Sequence, residues 1–269
     1  MRVAVTGASG FIGKALCAQL SASGVNHAPL REPWTLDNFD AVVHLAGIAH
    51  RQANEAQLEA ANVELAERVG QSAASAGARM IFVSSIKVHG DRAERTLHEA
   101  AALAPVDAYA RSKARAEGRL RQIPGLALAV LRPPLIYGPG VRANFLALMS
   151  AIARGWPLPF ASVSNRRSLL YVANLCDALT TCVQSRQADG RTFFVTDGAA
   201  VSTPELCRHI GAALGRRARL FRFPPRLLPA KLGASLAADD AAIRGALGWK
   251  PPFSFEEGLR LTAAWYRNR

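Results

Sequence analysis

The sequence predicts an α/β protein built on a doubly wound parallel sheet, with a smaller lobe toward the C-terminal end. Three observations predict it. Short β-rich runs alternate with alanine-rich helical runs through the first half, as in a parallel sheet with helices on both faces. Runs such as IFVSS and LAVLRP are apolar throughout rather than alternating, as expected of strands buried on both sides. A glycine-rich turn, TGASGFIG, stands between the first strand and the first helix. With 269 residues, 50% hydrophobic and 20% charged, the chain is long enough for one two-lobed unit or two modest domains.

In order along the chain, RVAVTG is read as a strand and FIGKALCAQLSAS as a helix. A second strand ends near Leu30, and a third, AVVHLAG, begins near Ala41. The ten residues between them reach at most about 33–36 Å. Returning along a short strand takes about 17 Å and stepping past the first strand about 10 Å. Little room is left for the usual helix and outer strand, so the sheet is expected to be shortened at its second/third-strand edge. There follow a helix, NEAQLEAANVELAERVGQSAASAG; a strand, MIFVSS; a helix, AYARSKARAEGRLRQI; and a strand, LALAVLRP.

After RPPLIYGPG the rhythm breaks into Pro- and Gly-rich connections, GWPLPF, FRFPPRLLP and GWKPPF, while LLYVANLCDALTTCVQS and TFFVTDG read as a further helix and strand of the first lobe. The expected organisation is a dinucleotide-binding domain over 1–140, with about 170–197 returning to it. A substrate-binding lobe then comprises 141–169 and 198–269.

Within TGASGFIG, Gly7 permits a tight turn, Gly10 lets the backbone approach a pyrophosphate and Gly13 lets the helix pack close to the sheet. An acid about twenty residues further on binds the ribose 2′-hydroxyl of NAD, whereas an arginine accommodates the 2′-phosphate of NADP. Arg31 stands eighteen residues after Gly13, with Glu32 beside it. A guanidinium offers a phosphate a forked, charge-assisted pair of hydrogen bonds, so NADP is expected rather than NAD.

Tyr109 and Lys113, in YARSK, are four apart and share a helix face. A nearby ammonium lowers a phenol's pKa, suiting it to proton transfer at a carbonyl or alcohol oxygen. Upstream, IFVSSIKVHG ends a strand with Ser84 and Ser85 at the carboxyl edge of the sheet, where ligands of this architecture bind. Ser85 can hydrogen-bond the same substrate oxygen as Tyr109.

TGASGFIG, HLAG, Asn62-Val63, VSSIKVHG, YARSK and LRPPLIYGPG together resemble the extended short-chain dehydrogenase/reductases of the NAD-dependent epimerase/dehydratase group, which have a Rossmann sheet. RRSLLYVANLCDAL and LGWKPPFSFEEGL extend the resemblance over nearly the whole chain. Within that family, SSIKVHG, RPPLIYGPGVRANFL and NRRSLLYV are most similar to bacterial UDP-4-keto-6-deoxy-sugar 4-reductases, which make precursors of surface polysaccharide.

The resemblance implies Ser85, Tyr109 and Lys113 as catalytic triad. It implies Gly7, Gly10, Phe11, Ile12 and Gly13 at the pyrophosphate and adenosine side, and Leu45, Ala46 and Gly47 at the cofactor's middle. Ser84 and Pro134 fall near the nicotinamide, Arg167 at the substrate diphosphate and Asn144 at a sugar or phosphate contact. Lys87 and His89 are left without a firm role. The reaction implied is reduction of a nucleotide-activated 4-keto sugar. A UDP-sugar 4-epimerase holding NAD is the alternative, and a non-catalytic dinucleotide sensor or scaffold is the rival from another class. A dehydratase is disfavoured, because Ile86-Lys87 stands where that group has Asp-Glu. The short opening segment and a compressed C-terminal lobe depart from the family pattern.

The net charge of +13 favours an anionic substrate, an acidic membrane surface or nucleic acid. No run of basic residues interleaved with exposed aromatics is read from the sequence, so no nucleic-acid partner is expected. Cys17, Cys176, Cys182 and Cys207 are scattered and read as buried reduced thiols. His44 and His50 lack a third ligand, so no metal is expected. The absence of a signal core or membrane span predicts a cytoplasmic protein without membrane insertion, and a homodimer is compatible with the resemblance.

Overall fold

The computed structural model describes residues 1–49 and 53–269. The apolar runs of the first half form β1 (Arg2–Thr6), β2 (Asn26–Pro29), β3 (Ala41–His44), β4 (Arg79–Val83) and β5 (Leu128–Arg132). Between them lie α1 (Phe11–Ala22), α2 (Glu55–Leu58), a π-helical segment over Glu59–Glu64, α3 (Leu65–Ser75) and α4 (Ala108–Arg121). Further along come β6 (Leu135–Tyr137), α5 (Ala143–Ala153), β7 (Leu169–Tyr171), α6 (Val172–Gln184) and β8 (Thr192–Phe194). The main sheet has six strands in the order β2-β1-β3-β4-β5-β8, and all its pairings are parallel.

Strand side chains alternate between two faces, and each face has its own core. Val3, Val5 and Val43 join Leu16 and Leu20 of α1 and Leu175 and Leu179 of α6. Ala4, Val42, Met80 and Val130 join Val63, Val69 of α3 and Leu120 of α4. That division is why the strands read as continuous apolar runs.

The sheet edge is shortened as the chain length requires. β2 pairs with β1 alone and ends the sheet. The link after β2 substitutes for the missing elements by packing Leu36, which is buried, with Trp34 and Phe39 on the α3-side core. Glu32 pairs with Arg68 at 2.5 Å, and the Arg68 guanidinium lies 5.1 Å from the Trp34 ring centroid.

Two features depart from the sequence reading. LLYVANLCDALTTCVQS is not helical from its start: its first three residues form β7, which pairs with β6 as a separate parallel ladder. Tyr137 explains the pairing, since its ring packs against Phe145, Tyr171 and Phe255 and its hydroxyl donates to Asp197 Oδ2 at 2.8 Å. The second departure is in RRARLFRFPPR, Arg216 to Arg226. A basic run interleaved with aromatics does exist there, and Phe221 is 44% exposed. Its backbone bonds to Leu158 while the side chain is left outward, which sequence alone does not reveal.

The remainder of the chain forms α7 (Thr203–Leu214), α8 (Ala230–Gly233), α9 (Ala241–Leu247) and α10 (Phe255–Arg267). Among the described residues no helix is long and apolar enough to cross a membrane. The four cysteines are free, and Cys176, Cys182 and Cys207 are buried.

Arg79 opens β4 and is buried. Its guanidinium donates to the Val183, Cys182 and Ser185 carbonyls at 2.6, 3.0 and 2.7 Å and to Asp189 Oδ1 at 2.6–2.8 Å. It thereby satisfies the C-terminal carbonyls of α6, which have no partner within the helix. Arg79→Met leaves those carbonyls and a carboxylate unmatched, and is expected to lower the free energy of unfolding by about 3–5 kcal/mol, read from the urea midpoint.

Candidate active site

The glycine turn is shaped by steric necessity. Gly7 has φ +65°, and a Cβ there would lie 2.8 Å from the Ala46 nitrogen. A Cβ on Gly13 would lie 2.2 Å from the Gly7 oxygen. Gly10 caps α1 without a side chain, and no acidic residue stands in the first turn. The helix therefore presents unpaired N–H groups and the positive end of its dipole to an incoming diphosphate. Phe11 and Ile12, partly buried, anchor that first turn against the core.

Thr6 joins this turn to the end of β3. Its hydroxyl oxygen accepts from the Leu45 and Ala46 nitrogens at 3.1 and 3.0 Å, so its proton goes to His44 Nδ1, 3.0 Å away. That places the imidazole hydrogen on Nε2, which has no partner among the described residues. Burial pushes the His44 pKa down to about 3. It is a neutral structural residue, and His50 lies outside the described residues. No group of three potential metal ligands occurs among the described residues.

Gly47, at φ +152°, brings three elements to one point. A Cβ there would lie 2.6 Å from Asn62 Oδ1 and 3.7 Å from Lys113 Nζ. Asn62 sits in the π-helical segment and is buried. It accepts from the Ile48 nitrogen at 2.7 Å and donates to the Ile48 oxygen at 3.0 Å and to Ser112 Oγ at 2.9 Å. It thus ties the loop after β3 to α4, a role that its place in the sequence motif did not disclose.

Ser84 and Ser85 follow β4. Ser85 caps a short 3₁₀ turn, Ile86–His89, its hydroxyl accepting from the Lys87 nitrogen. Asp107 caps α4, which carries Tyr109 and Lys113. Lys87 joins the two caps: its ammonium pairs with Asp107, reaches Asp91 at 3.5 Å and lies 6.0 Å from the Tyr109 ring centroid. The lysine left without a role in the sequence reading positions Ser85 against Tyr109.

Tyr109 departs from the electrostatics expected of it. Burial pushes its pKa up to about 12, Asp107 adds to the rise and the neighbouring Ser85 hydroxyl opposes it. The Lys113 ammonium is turned instead to the Val83 oxygen, at 2.9 Å, over the Phe82 ring at 4.7 Å. Burial lowers its own pKa to about 8, with Glu117 opposing. At neutral pH the ligand-free site therefore holds a protonated phenol and an ammonium, an acid ready to serve a carbonyl oxygen.

A dinucleotide fits these residues. The glycine cradle leaves no space for side chains where a pyrophosphate approaches, and Lys113 retains ammonium hydrogens beyond the one given to Val83. The buried Ser84 Oγ has no partner at hydrogen-bond distance, although the Glu117 carboxylate is close enough to be stabilised by it. Pro134 is buried, two residues past the end of β5. Arg31 is exposed, two residues beyond β2, far from the catalytic hydroxyls along the sheet edge.

On the other side, Arg167 is partly buried and donates to the Ala234 oxygen at 3.1 Å. Burial lowers its pKa and Asp91 opposes this, so Asp91 links Arg167 to Lys87. Asn144 is exposed in the first turn of α5, directly after Ala143, whose φ of 53° is unusual for a residue with a Cβ. No hydrogen bond or ion pair joins Asn144 or Arg31 to the triad among the described residues. His89 takes a structural place. Its Nδ1 donates to the Ala102 oxygen, and Nε2 accepts from Arg132 at 3.0 Å.

The parallel sheet and its glycine turn are those of a dinucleotide-dependent oxidoreductase. The chain belongs to the NAD-dependent epimerase/dehydratase family, whose model matches residues 3–195, and is an NAD(P)-dependent oxidoreductase of the extended short-chain type. A UDP-glucose 4-epimerase of Vibrio cholerae is 33% identical, covering 97% of this chain and 94% of that protein. A GDP-6-deoxy-D-mannose reductase of Pseudomonas aeruginosa is 27% identical, covering 100% and 98%. Among solved structures, MoeE5 with UDP-glucuronic acid and NAD superposes with a TM-score of 0.84 at 25% identity, covering 100% and 99%. Solved neighbours carry NAD in some cases and NADPH in others.

Lys113 supplies a test that separates stability from function. Its pKa is depressed in the folded chain, so the unfolded chain binds more protons between about pH 8 and 10.5. Stability is expected to rise across that window and to fall as pH drops through about 8. Lys113→Met is expected to abolish turnover while raising neutral-pH stability by about 1–3 kcal/mol, measured by denaturant titration.

Proposed function

We propose that the protein is an NADPH-dependent reductase of a nucleotide-activated 4-keto sugar, of the UDP-4-keto-6-deoxy-N-acetylhexosamine type. It acts in the cytoplasm, in the synthesis of surface polysaccharide precursors. The observation that carries the reading is Arg31, exposed two residues beyond β2 with its neighbour Glu32 drawn to Arg68, which we assign to the ribose end of the cofactor. A cationic end on an uncovered sheet edge suits a 2′-phosphate and a cofactor that must exchange at every turnover.

The Gly7–Gly13 turn and Lys113 would hold a nicotinamide cofactor, which would supply the hydride for the C4 ketone. Tyr109, protonated at neutral pH, donates its proton to the ketone oxygen as that carbon is reduced, leaving a hydroxyl. Ser85 donates a hydrogen bond to the same oxygen and stabilises the charge that develops there. The Lys113 ammonium stabilises the phenolate left on Tyr109, which regains its proton from solvent. Arg167 pairs with the substrate diphosphate and Asn144 contacts the sugar or phosphate.

The second reading is a UDP-sugar 4-epimerase, favoured by the likeness to the Vibrio cholerae protein along almost the whole chain. An epimerase returns the hydride and retains its cofactor, so the nucleotide released on denaturing the purified protein separates the two.

The reductase reading expects NADPH oxidation, followed at 340 nm, with a UDP-4-keto-6-deoxy-N-acetylhexosamine, and its loss in Tyr109→Phe. Tightly held NAD with no net oxidation supports the epimerase instead. Arg31→Glu is expected to cut kcat/KM for NADPH relative to NADH by about tenfold to a hundredfold, the loss of one charge-assisted contact. An unchanged ratio removes Arg31 from the cofactor site.

A further inference from the structure

The site has two ends, the hydroxyls of Ser85 and Tyr109 at one and the Arg167 guanidinium at the other, and three charged side chains run between them. The Lys87 ammonium pairs with Asp107 Oδ2 and reaches Asp91 Oδ1 at 3.5 Å, so one cation is shared by two carboxylates. Asp107 acts on the acid, since its charge opposes a phenolate on Tyr109. Asp91 acts on the other end, where its charge counters the burial that lowers the Arg167 pKa. Arg167 is itself held by its backbone bonds to Val201 and by donation to the Ala234 oxygen at 3.1 Å.

These charges are not needed to start the elements they join. Asp107 caps α4 with its other oxygen, Oδ1, which accepts from the Ala110 nitrogen at 2.8 Å. Ser85 opens its turn by accepting from the Lys87 backbone nitrogen at 3.2 Å, whatever the lysine side chain does. The side chains of Lys87, Asp107 and Asp91 are 31, 30 and 18% exposed, and charges partly withdrawn from water act on their neighbours more strongly than surface charges do. Of the other groups that face Tyr109, the Ser85 hydroxyl is uncharged and the Lys113 ammonium turns to the Val83 oxygen at 2.9 Å. Lys87, 6.0 Å from the Tyr109 ring centroid, is the cation paired with the carboxylate that works against the acid.

We propose that Lys87 and Asp91 are positioning residues of the reaction, joined with Asp107 and Arg167 in one ionic bridge: Lys87 offsets the Asp107 charge while Tyr109 gives up its proton, and Asp91 orients the Arg167 guanidinium toward the substrate diphosphate. The inference rests on the reading of Tyr109 as proton donor and Arg167 as diphosphate contact. Transfer of the Tyr109 proton leaves a negative charge two residues from Asp107, and without a cation on that carboxylate the two charges repel. Asp91 adds nothing to the caps at Ser85 and Asp107. What it supplies is a tie from Lys87 to Arg167, so the carbonyl end and the diphosphate end of the substrate are held by one set of charges.

Steady-state NADPH oxidation with the UDP-4-keto sugar, run on variants of the full-length protein, reads the two ends of the bridge separately. Lys87→Met is expected to lower kcat about tenfold, the effect of one uncompensated neighbouring charge, with little change in KM for the sugar nucleotide. Adding Asp107→Asn, which caps a helix as well as aspartate does, removes the charge that Lys87 offsets and is expected to bring kcat back to within about threefold of wild type. Asp91→Asn is expected to raise KM roughly fivefold while kcat is largely kept. A Lys87→Met defect that Asp107→Asn does not relieve, or an Asp91→Asn defect confined to kcat, overturns the proposal. Wild-type protein that reduces no 4-keto sugar defeats the reading of the reaction instead, and the bridge is then read without turnover. With NADP bound, the Tyr109 phenolate, followed by its ultraviolet absorbance as the difference from Tyr109→Phe, is expected to form at lower pH in Asp107→Asn than in wild type, and at higher pH in Lys87→Met. UDP is expected to bind Asp91→Asn more weakly than wild type. A phenolate insensitive to both substitutions, or unchanged UDP binding, overturns the bridge.

Discussion

The elements that carry Ser85, Tyr109 and Lys113 are held in register by one buried guanidinium. Arg132, at the end of β5, donates to both Glu117 carboxylate oxygens at 3.0 and 2.6 Å. Both side chains are almost wholly buried, at 5 and 2% exposure. Glu117 lies one helical turn beyond Lys113 and two beyond Tyr109, so the pair fixes the face of α4 that carries the chemistry. The same guanidinium bonds His89, at the end of the turn that Ser85 opens, and the Glu99 oxygen at 3.3 Å. Glu99 in turn accepts from the Phe194 nitrogen of β8 at 2.9 Å. Buried ion pairs repay their desolvation only when the geometry is complete. Here the bidentate pair, the imidazole and the carbonyl together satisfy the guanidinium, at the spot where Ser85, Tyr109 and β8 must meet.

This arrangement makes burial the dominant electrostatic influence on the site. It raises the Tyr109 pKa and lowers that of Lys113, so both groups are pushed toward neutrality. Glu117 counteracts this for Lys113 and keeps a cation in a dry pocket. Asp107 disfavours a phenolate on Tyr109, and Lys87, paired with Asp107, sets how strongly that carboxylate is felt. A site tuned in this way favours donation of a proton to an oxygen that is gaining electrons.

What the sequence disclosed follows the range of each interaction. The glycine turn, the strand-helix alternation and the i,i+4 pair of Tyr109 and Lys113 are local, and all were legible. The shortened edge was legible too, since ten residues cannot hold a helix and a strand. The links among Arg132, Glu117 and His89, from Arg79 to Asp189, and from Asn62 to Ile48 and Ser112 join residues far apart in the chain. Arg132 and Glu117 look, in sequence, like one more arginine on a strand and one more glutamate on a helix. The sign of the Tyr109 shift was misjudged for the same reason: spacing places Lys113 on the right face but does not reveal that Val83 claims its ammonium. The outward turn of Phe221 depends on a backbone pairing across some sixty residues, with Leu158.

The trimmed edge shows how a doubly wound sheet can shed elements without losing its core. A terminal strand exposes unpaired backbone and one uncovered face, which invites association. Here β2 is only four residues long and carries a proline at its end, so little ladder remains to extend. The link beyond it lays Trp34, Leu36 and Phe39 where a helix and strand would otherwise cover the α3-side core. Arg68 bridges outward to Glu32 and Trp34, tying that link to α3. The economy is structural, yet its consequence is chemical. With no outer strand beside β2, the residues that follow it, Arg31 and Glu32 among them, face solvent rather than a wall. On the reductase reading proposed above, charge holds the 2′-phosphate at this edge and releases it again at cellular ionic strength.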